Sequence, residues 1–180
     1  MNAQAFRVAP DRGQRWDALA LGEVMLRFDP GEGRIRSARQ FTVWEGGGEY
    51  NVARGLCSTF EHRTGVLTAL PRNELGLLAR QLIQAGGVDA GQIVWRDYDG
   101  IGRNTRMGLN FTERGFGARA PLGVSDRAYS AASQLQPDAV DRDALFGQHG
   151  VRWLPTGGNS AALPKHNAAQ AIPAVRAARR

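Results

Sequence analysis

The sequence predicts a three-layer α/β domain, and three observations carry that expectation. Short apolar runs suited to buried strands alternate along the chain with amphipathic segments of helical period. Three consecutive glycines, Gly46-Gly47-Gly48, lead from an extended stretch straight into a helix-forming one. At 180 residues the chain is long enough for one domain with a substantial core and short for two.

Taken in order, residues 1–15 mix Arg, Asp, Gln and Gly without periodicity and read as a flexible arm. Trp16 to Phe28 reads as one buried strand through Leu19, Leu21, Val24 and Leu26, ended by the turn cluster Asp29-Pro30-Gly31-Glu32-Gly33. Ile35 to Trp44 looks extended. Residues 49–61 predict the first helix, with Val52, Leu56 and Phe60 at i, i+4 and i+8. Thr64 to Leu70 is a short apolar strand. Leu75, Leu78, Ala79, Leu82 and Ile83 mark an amphipathic helix closed by Gly86 and Gly87. Further strands are expected at Gln92–Arg96, Arg106–Glu113 and Gly150–Leu154. The extended segments near 35–44 and 105–124 stand outside the alternation. Pro164 and Pro173 interrupt an alanine-rich stretch, so residues 155–180 are expected to form a divergent, poorly ordered tail.

Composition excludes several classes of function. The 42% hydrophobic and 22% charged content fits a soluble globular protein. The net charge of +6 raises nucleic acid as a ligand, but the charge is nearly all arginine, spread along the chain, with no aromatic stacking platform. No nucleic-acid partner is expected. Cys57 is the only cysteine, which rules out an intrachain disulfide or a thiolate zinc site. Its helical face, shared with Ala53 and Phe60, suits a buried inert thiol. His62, His149 and His166 lack metal-ligand spacing. The first fifteen residues hold no apolar leader and no stretch reaches membrane-spanning length, so a cytoplasmic protein without a membrane partner is expected.

The glycine stretch is where chemistry is most concentrated. Glycine lets a ligand approach the backbone closely, and the helix that follows offers unpaired N–H groups and the positive end of its dipole. Asn51, in the first turn, can donate to and accept from hydroxyl groups. A polyhydroxylated or carboxylated small molecule would fit there. The same residues also serve as a plain strand-to-helix turn with an N-cap.

Several motifs in order resemble one family. Gly46-Gly47-Gly48-Glu49-Tyr50-Asn51-Val52-Ala53-Arg54-Gly55-Leu56 is similar to the N-terminal signature of the PfkB (ribokinase-like) carbohydrate kinases, particularly the 2-keto-3-deoxygluconate kinase branch. Leu21-Gly22-Glu23-Val24-Met25-Leu26-Arg27-Phe28 resembles the first strand of that family, and Gly86-Gly87-Val88-Asp89 its turn after the second helix. Gly108–Gly115 and Ser125–Ala131 resemble a strand and a substrate loop of the same branch. The likeness runs over residues 17–163. It implies an incomplete ribokinase-like, Rossmann-type three-layer sheet, with the strands near 35–44 and 105–124 forming a small β-sheet lid. Residues 16–154 would then be the N-terminal substrate-binding part.

By that resemblance Gly47, Gly48 and Asn51 contact a sugar acid, Arg127 meets its carboxylate, and Phe111 lines the pocket from the lid. A guanidinium fork pairs bidentately with a carboxylate, which suits Arg127 to the role. Asp126 is an alternative, structural partner for Arg127. Asn110 and Phe111 are strand neighbours, so only one of them faces the pocket, and core packing is the alternative for Phe111. Glu23 falls near the pocket and could equally be held in a structural ion pair. Glu45 and Glu49 are expected to face solvent or balance an arginine, since they would repel an acid ligand.

The resemblance also implies ATP and Mg, bound by a further half that carries a Gly-x-Gly-Asp motif with the catalytic Asp. This sequence offers no substitute. Gly86-Gly87-Val88-Asp89 reads as a helix C-cap, Thr156-Gly157-Gly158-Asn159 has no carboxylate, and the only lysine, Lys165, belongs to no phosphate loop. No catalytic residue is therefore assigned. The expected function is the substrate-binding half of a sugar or sugar-acid kinase, inactive alone. A second polypeptide carrying the C-terminal half and a homodimer through the lid are the macromolecular partners this implies. The alternative is a non-enzymatic α/β scaffold or partner-binding module.

Overall fold

The computed structural model describes residues 10–136, 139–141 and 143–157. Most of the arm and nearly all of the tail expected from sequence lie outside these residues. The elements are β1 (Trp16–Leu21), β2 (Met25–Asp29), β3 (Thr42–Gly46), α1 (Gly48–Phe60), β4 (Thr64–Pro71), α2 (Glu74–Ala85), β5 (Asp89–Arg96), β6 (Leu109–Glu113), β7 (Leu122–Asp126) and β8 (Val151–Trp153). Single 3-10 turns at Ile35–Ser37 and Ala132–Gln134 and a π-helical segment at Asp143–His149 complete the described chain.

Four parallel strands in the order β5-β4-β1-β8 form the main sheet. β4 is buried along its whole length, as a central parallel strand covered on both faces must be. On one face Ala20, Val24 and Val66 pack against Tyr50 and Ala53 of α1 and Ile83 of α2. On the other, Leu19, Leu21, Leu67 and Ala69 meet Ala131, Leu135 and Leu145. The result is the three-layer arrangement the sequence predicts. Asn73 caps α2 by accepting from the Gly76 N–H at 3.0 Å, and Gly86 with Gly87, at φ 80°, closes it as expected.

The lid is a second, mixed sheet in the order β3-β2-β6-β7, in which β2 and β6 run parallel and the outer pairs antiparallel. Here the structure corrects one expectation. The run Trp16–Phe28 is two strands, one in each sheet, joined through Gly22-Glu23-Val24. The apolar pattern continues across the junction, so periodicity could not reveal the break. At the junction Gly22 leaves room for the Glu49 carboxylate, which an added Cβ would strike.

A second correction concerns α1. Val52 and Phe60 are 42% and 66% exposed, and the buried residues are Glu49, Tyr50 and Ala53. Close approach of the helix to the sheet selects the small Ala53 as its contact, leaving Val52 and Phe60 exposed and Leu56 half-buried. Cys57 lies at the margin, half-buried, with its thiol donating to the Gly87 carbonyl at 3.3 Å.

Candidate functional site

In parallel sheets ligands bind beyond the C-terminal strand ends, where neighbouring connections depart in opposite directions. β1 is such a place, since its own connection leads through the lid and α1 to β4 while β8 lies on its other side. Gly22 and Glu23 leave β1 at this edge, Thr156 and Gly157 leave β8, and α1 begins beside them.

Glu23 organises this junction. Its carboxylate is 3% exposed, and its Oε2 accepts from Arg127 Nε at 2.8 Å and Nη2 at 2.5 Å. The two residues are 104 positions apart and tie the end of β7 to the start of β2. Two glycines accommodate Glu23. A Cβ on Gly47 would strike its carbonyl oxygen, and one on Gly108 would strike Oε1. Oε1 is itself buried, with no hydrogen-bond partner among the described residues. Gly108 and Arg127 therefore converge on the Glu23 carboxylate, while Gly47 makes room for its backbone carbonyl.

Gly47 is the N-cap of α1, extended at φ −175° and without a side chain to satisfy the helix N-terminus. Gly48, the first helical residue, is exposed and has open space where a Cβ would be. Asn51 is exposed one turn further on. Its Oδ1 accepts from the Gly47 N–H at 3.4 Å, while its Nδ2 has no partner among the described residues. This end of the helix can thus offer donors to a small polar molecule.

Asp126 pairs with Arg106 at 2.9 Å, so the partner of Arg127 is Glu23 rather than its sequence neighbour. Arg127 keeps 21% side-chain exposure, and two of its five N–H donors go to Glu23. Phe111 is placed elsewhere on the lid. It stacks on Phe28 at 5.0 Å and meets Phe41 edge-on at 5.7 Å. Leu26, Phe28, Leu109 and Phe111 share the lid face that continues into the cluster of Leu70, Ala79 and Met107. Asn110 points to the opposite face and donates to Ser125 at 2.7 Å.

The remaining carboxylates depart from expectation in part. Glu45 balances an arginine, Arg54 at 3.1 Å, but is buried and also accepts from the Tyr50 hydroxyl at 2.9 Å. Burial and the Glu45 carboxylate push the Tyr50 hydroxyl above its ordinary pKa. Glu49 is buried rather than solvent-facing, because the missing Cβ atoms of Gly22 and Gly157 leave room for its carboxylate at the ends of β1 and β8. Gly108 and Gly157 were not singled out from sequence as partners of these acids. Isolated glycines beside a strand carry no signal of which distant side chain they admit.

No protein-family model matches the chain. Among solved structures it is similar to the 2-dehydro-3-deoxygluconokinase of Thermotoga maritima, at 30% identity and a TM-score of 0.81, over 90% of this chain and 47% of that one. A PfkB family carbohydrate kinase from Listeria grayi matches at 26% identity and a TM-score of 0.80, over 91% of this chain and 48% of that one. A sugar kinase from Pyrococcus horikoshii, solved in complex with ATP, shares the fold at 19% identity and a TM-score of 0.60, over 72% of this chain and 40% of that one. The chain spans about half the length of these kinases, an extent consistent with an N-terminal half. The chain is thus similar in fold to PfkB-family carbohydrate kinases over about half of their length.

Proposed function

We propose that this chain is the sugar-binding part of a PfkB-type carbohydrate kinase and that its ligand is a sugar acid resembling 2-keto-3-deoxygluconate. The observation that carries the reading is the convergence of Arg127, Gly47 and Gly108 on Glu23, beside the N-terminus of α1 and beneath the lid. In this reading Arg127 meets the carboxylate of the ligand. Gly47 and Gly48 let it approach the helix N-terminus, Asn51 serves its hydroxyls, and Phe111 acts from the lid through its aromatic cluster. The kinship of the Thermotoga maritima 2-dehydro-3-deoxygluconokinase supports this choice of ligand.

Phosphoryl transfer from ATP, with Mg, belongs to the complete kinase rather than to these residues. Among the described residues no group of His, Cys, Asp or Glu could hold a metal ion. No catalytic step is assigned to the described residues. A second polypeptide supplying the nucleotide half would restore activity. Exposed Leu122 and Val124 on β7 suit a homodimer through the lid. Among the described residues no helix is long and apolar enough to cross a membrane.

One observation favours the alternative of a bare scaffold, namely that Glu23 already neutralises Arg127. Thermal melts with and without 2-keto-3-deoxygluconate separate the two readings. A melting temperature raised by ligand in the parent, and raised less in Asn51→Ala and Arg127→Ala, supports the sugar-binding half. Arg127→Ala strands Glu23 and will itself melt lower, so Asn51→Ala is the cleaner comparison. A cooperative melt indifferent to the ligand overturns the reading in favour of the scaffold.

A further inference from the structure

We infer that Glu23 determines how strongly the site prefers a sugar acid over the matching neutral sugar. This rests on the proposed function and adds a specificity-determining residue to it. Arg127 is the cation paired with Glu23 at the junction, and its charge is met by a carboxylate at 2.5 Å. A ligand arriving there meets a guanidinium whose remaining N–H groups can still donate, but whose positive field is largely cancelled. Hydrogen bonding to hydroxyl and to carboxylate oxygens is then retained, while the added electrostatic attraction for an anion is reduced.

The surroundings hold Glu23 in this role. Both arginine donors fall on Oε2, and Oε1 is confined against Gly108, where any side chain would displace it. The backbone of the same residue rests against Gly47. Releasing Arg127 would strand a buried carboxylate whose Oε1 already lacks a hydrogen-bond partner among the described residues, which favours keeping the pair intact. The ion pair is accordingly expected to persist when ligand binds. Sharing Arg127 with Glu23 limits the reward for a charged ligand and lets the site accept neutral polyols as well.

The test compares 2-keto-3-deoxygluconate with 3-deoxyfructose, which carries a CH2OH in place of the carboxylate. Affinity for each is measured by calorimetry on the full chain and on Glu23→Gln. The expected result is a rise of about tenfold in the ratio of acid to neutral affinity in the variant, the size of one strong charge-assisted contact. Asp126→Asn, which removes a nearby carboxylate paired with Arg106, should leave the ratio unchanged.

Should Glu23→Gln lose its cooperative melt, Gly108→Ala displaces the carboxylate without removing it, and the same upward change in the ratio is expected. An unchanged ratio in a folded variant, with the parent binding the acid, overturns this inference and leaves the proposed function standing. A parent that binds neither compound overturns both.

Discussion

Arg152 donates to Asp17 at 2.8 Å and so joins the edge strand β8 to β1 across 135 residues of sequence. Arg63 reaches the same carboxylate through its backbone N–H at 2.9 Å and its side chain at 3.1 and 3.2 Å. This cluster lies at the N-terminal edge of the parallel sheet, opposite the Glu23 junction. It can therefore be altered without touching the candidate site.

The consequence is acid sensitivity with a defined sign. The hydrogen bonds from Arg63 and then Arg152 outweigh burial and hold the Asp17 carboxyl well below the usual carboxylate range. A depressed pKa contributes stability that is fully present above the unfolded value of about 4 and is lost as pH falls through the folded value. Asp17→Asn should lower stability by about 2 kcal/mol at neutral pH. Its melting temperature should also fall less steeply than the parent's below about pH 4. Parallel slopes in that acid window would show that Asp17 contributes nothing to the titration.

Adjacent glycines should behave oppositely. A Cβ on Gly47 would meet the Glu23 backbone oxygen, which cannot yield as a flexible side chain would, so Gly47→Ala is expected to cost about 3 kcal/mol or more. Gly48 has open space at that position and lies in the first turn of α1, so Gly48→Ala should leave stability unchanged or raise it by up to about 1 kcal/mol. If ligand approaches the helix N-terminus there, the added methyl lowers affinity in a protein that melts normally. Chemical denaturation of both variants, with ligand titration of Gly48→Ala, separates the two effects.

α1 ends on a strained residue. Glu61 occupies the left-handed region at φ 57°, where its N–H bonds to the Cys57 carbonyl and the His62 N–H to that of Leu56. Glycine adopts this conformation without the Cβ penalty. Glu61→Gly should therefore stabilise the protein by about 0.5–1 kcal/mol, read as a higher denaturant midpoint with an unchanged slope.

The alternation of strands and helices was legible because each element carries its own local period. So was the close of α2, where Gly86 and Gly87 terminate a clear amphipathic run. The division of Trp16–Phe28 between two sheets was not, since Val24, Leu26 and Phe28 continue the apolar pattern into the lid. Nor was the buried face of α1, because two overlapping stripes satisfy helical spacing and only the sheet chooses Ala53. Glu23 and Arg127 each stood out as candidates, yet their pairing depends on two strands meeting across the lid, which one sequence does not encode locally. Residue chemistry was readable, and long-range partnership was not.

Phe111 offers the clearest test of how lid packing relates to ligand binding. With Phe28 and Phe41 it forms an aromatic cluster whose ring centroids are 5.0 to 6.1 Å apart, on the lid face that leads into the core. Truncation to alanine removes two of these three ring contacts and should cost about 2–3 kcal/mol, somewhat less than for a fully buried phenylalanine. Phe111→Leu keeps the apolar bulk and should cost under about 1.5 kcal/mol. If Phe111 acts by holding the lid in place, ligand affinity follows stability, falling in the alanine variant and persisting in the leucine variant. Affinity lost in Phe111→Leu while its melt stays near that of the parent would instead mean that the aromatic ring itself touches the ligand. Paired melts and calorimetric titrations of the two variants decide between packing and contact, because only direct contact distinguishes leucine from phenylalanine at equal stability.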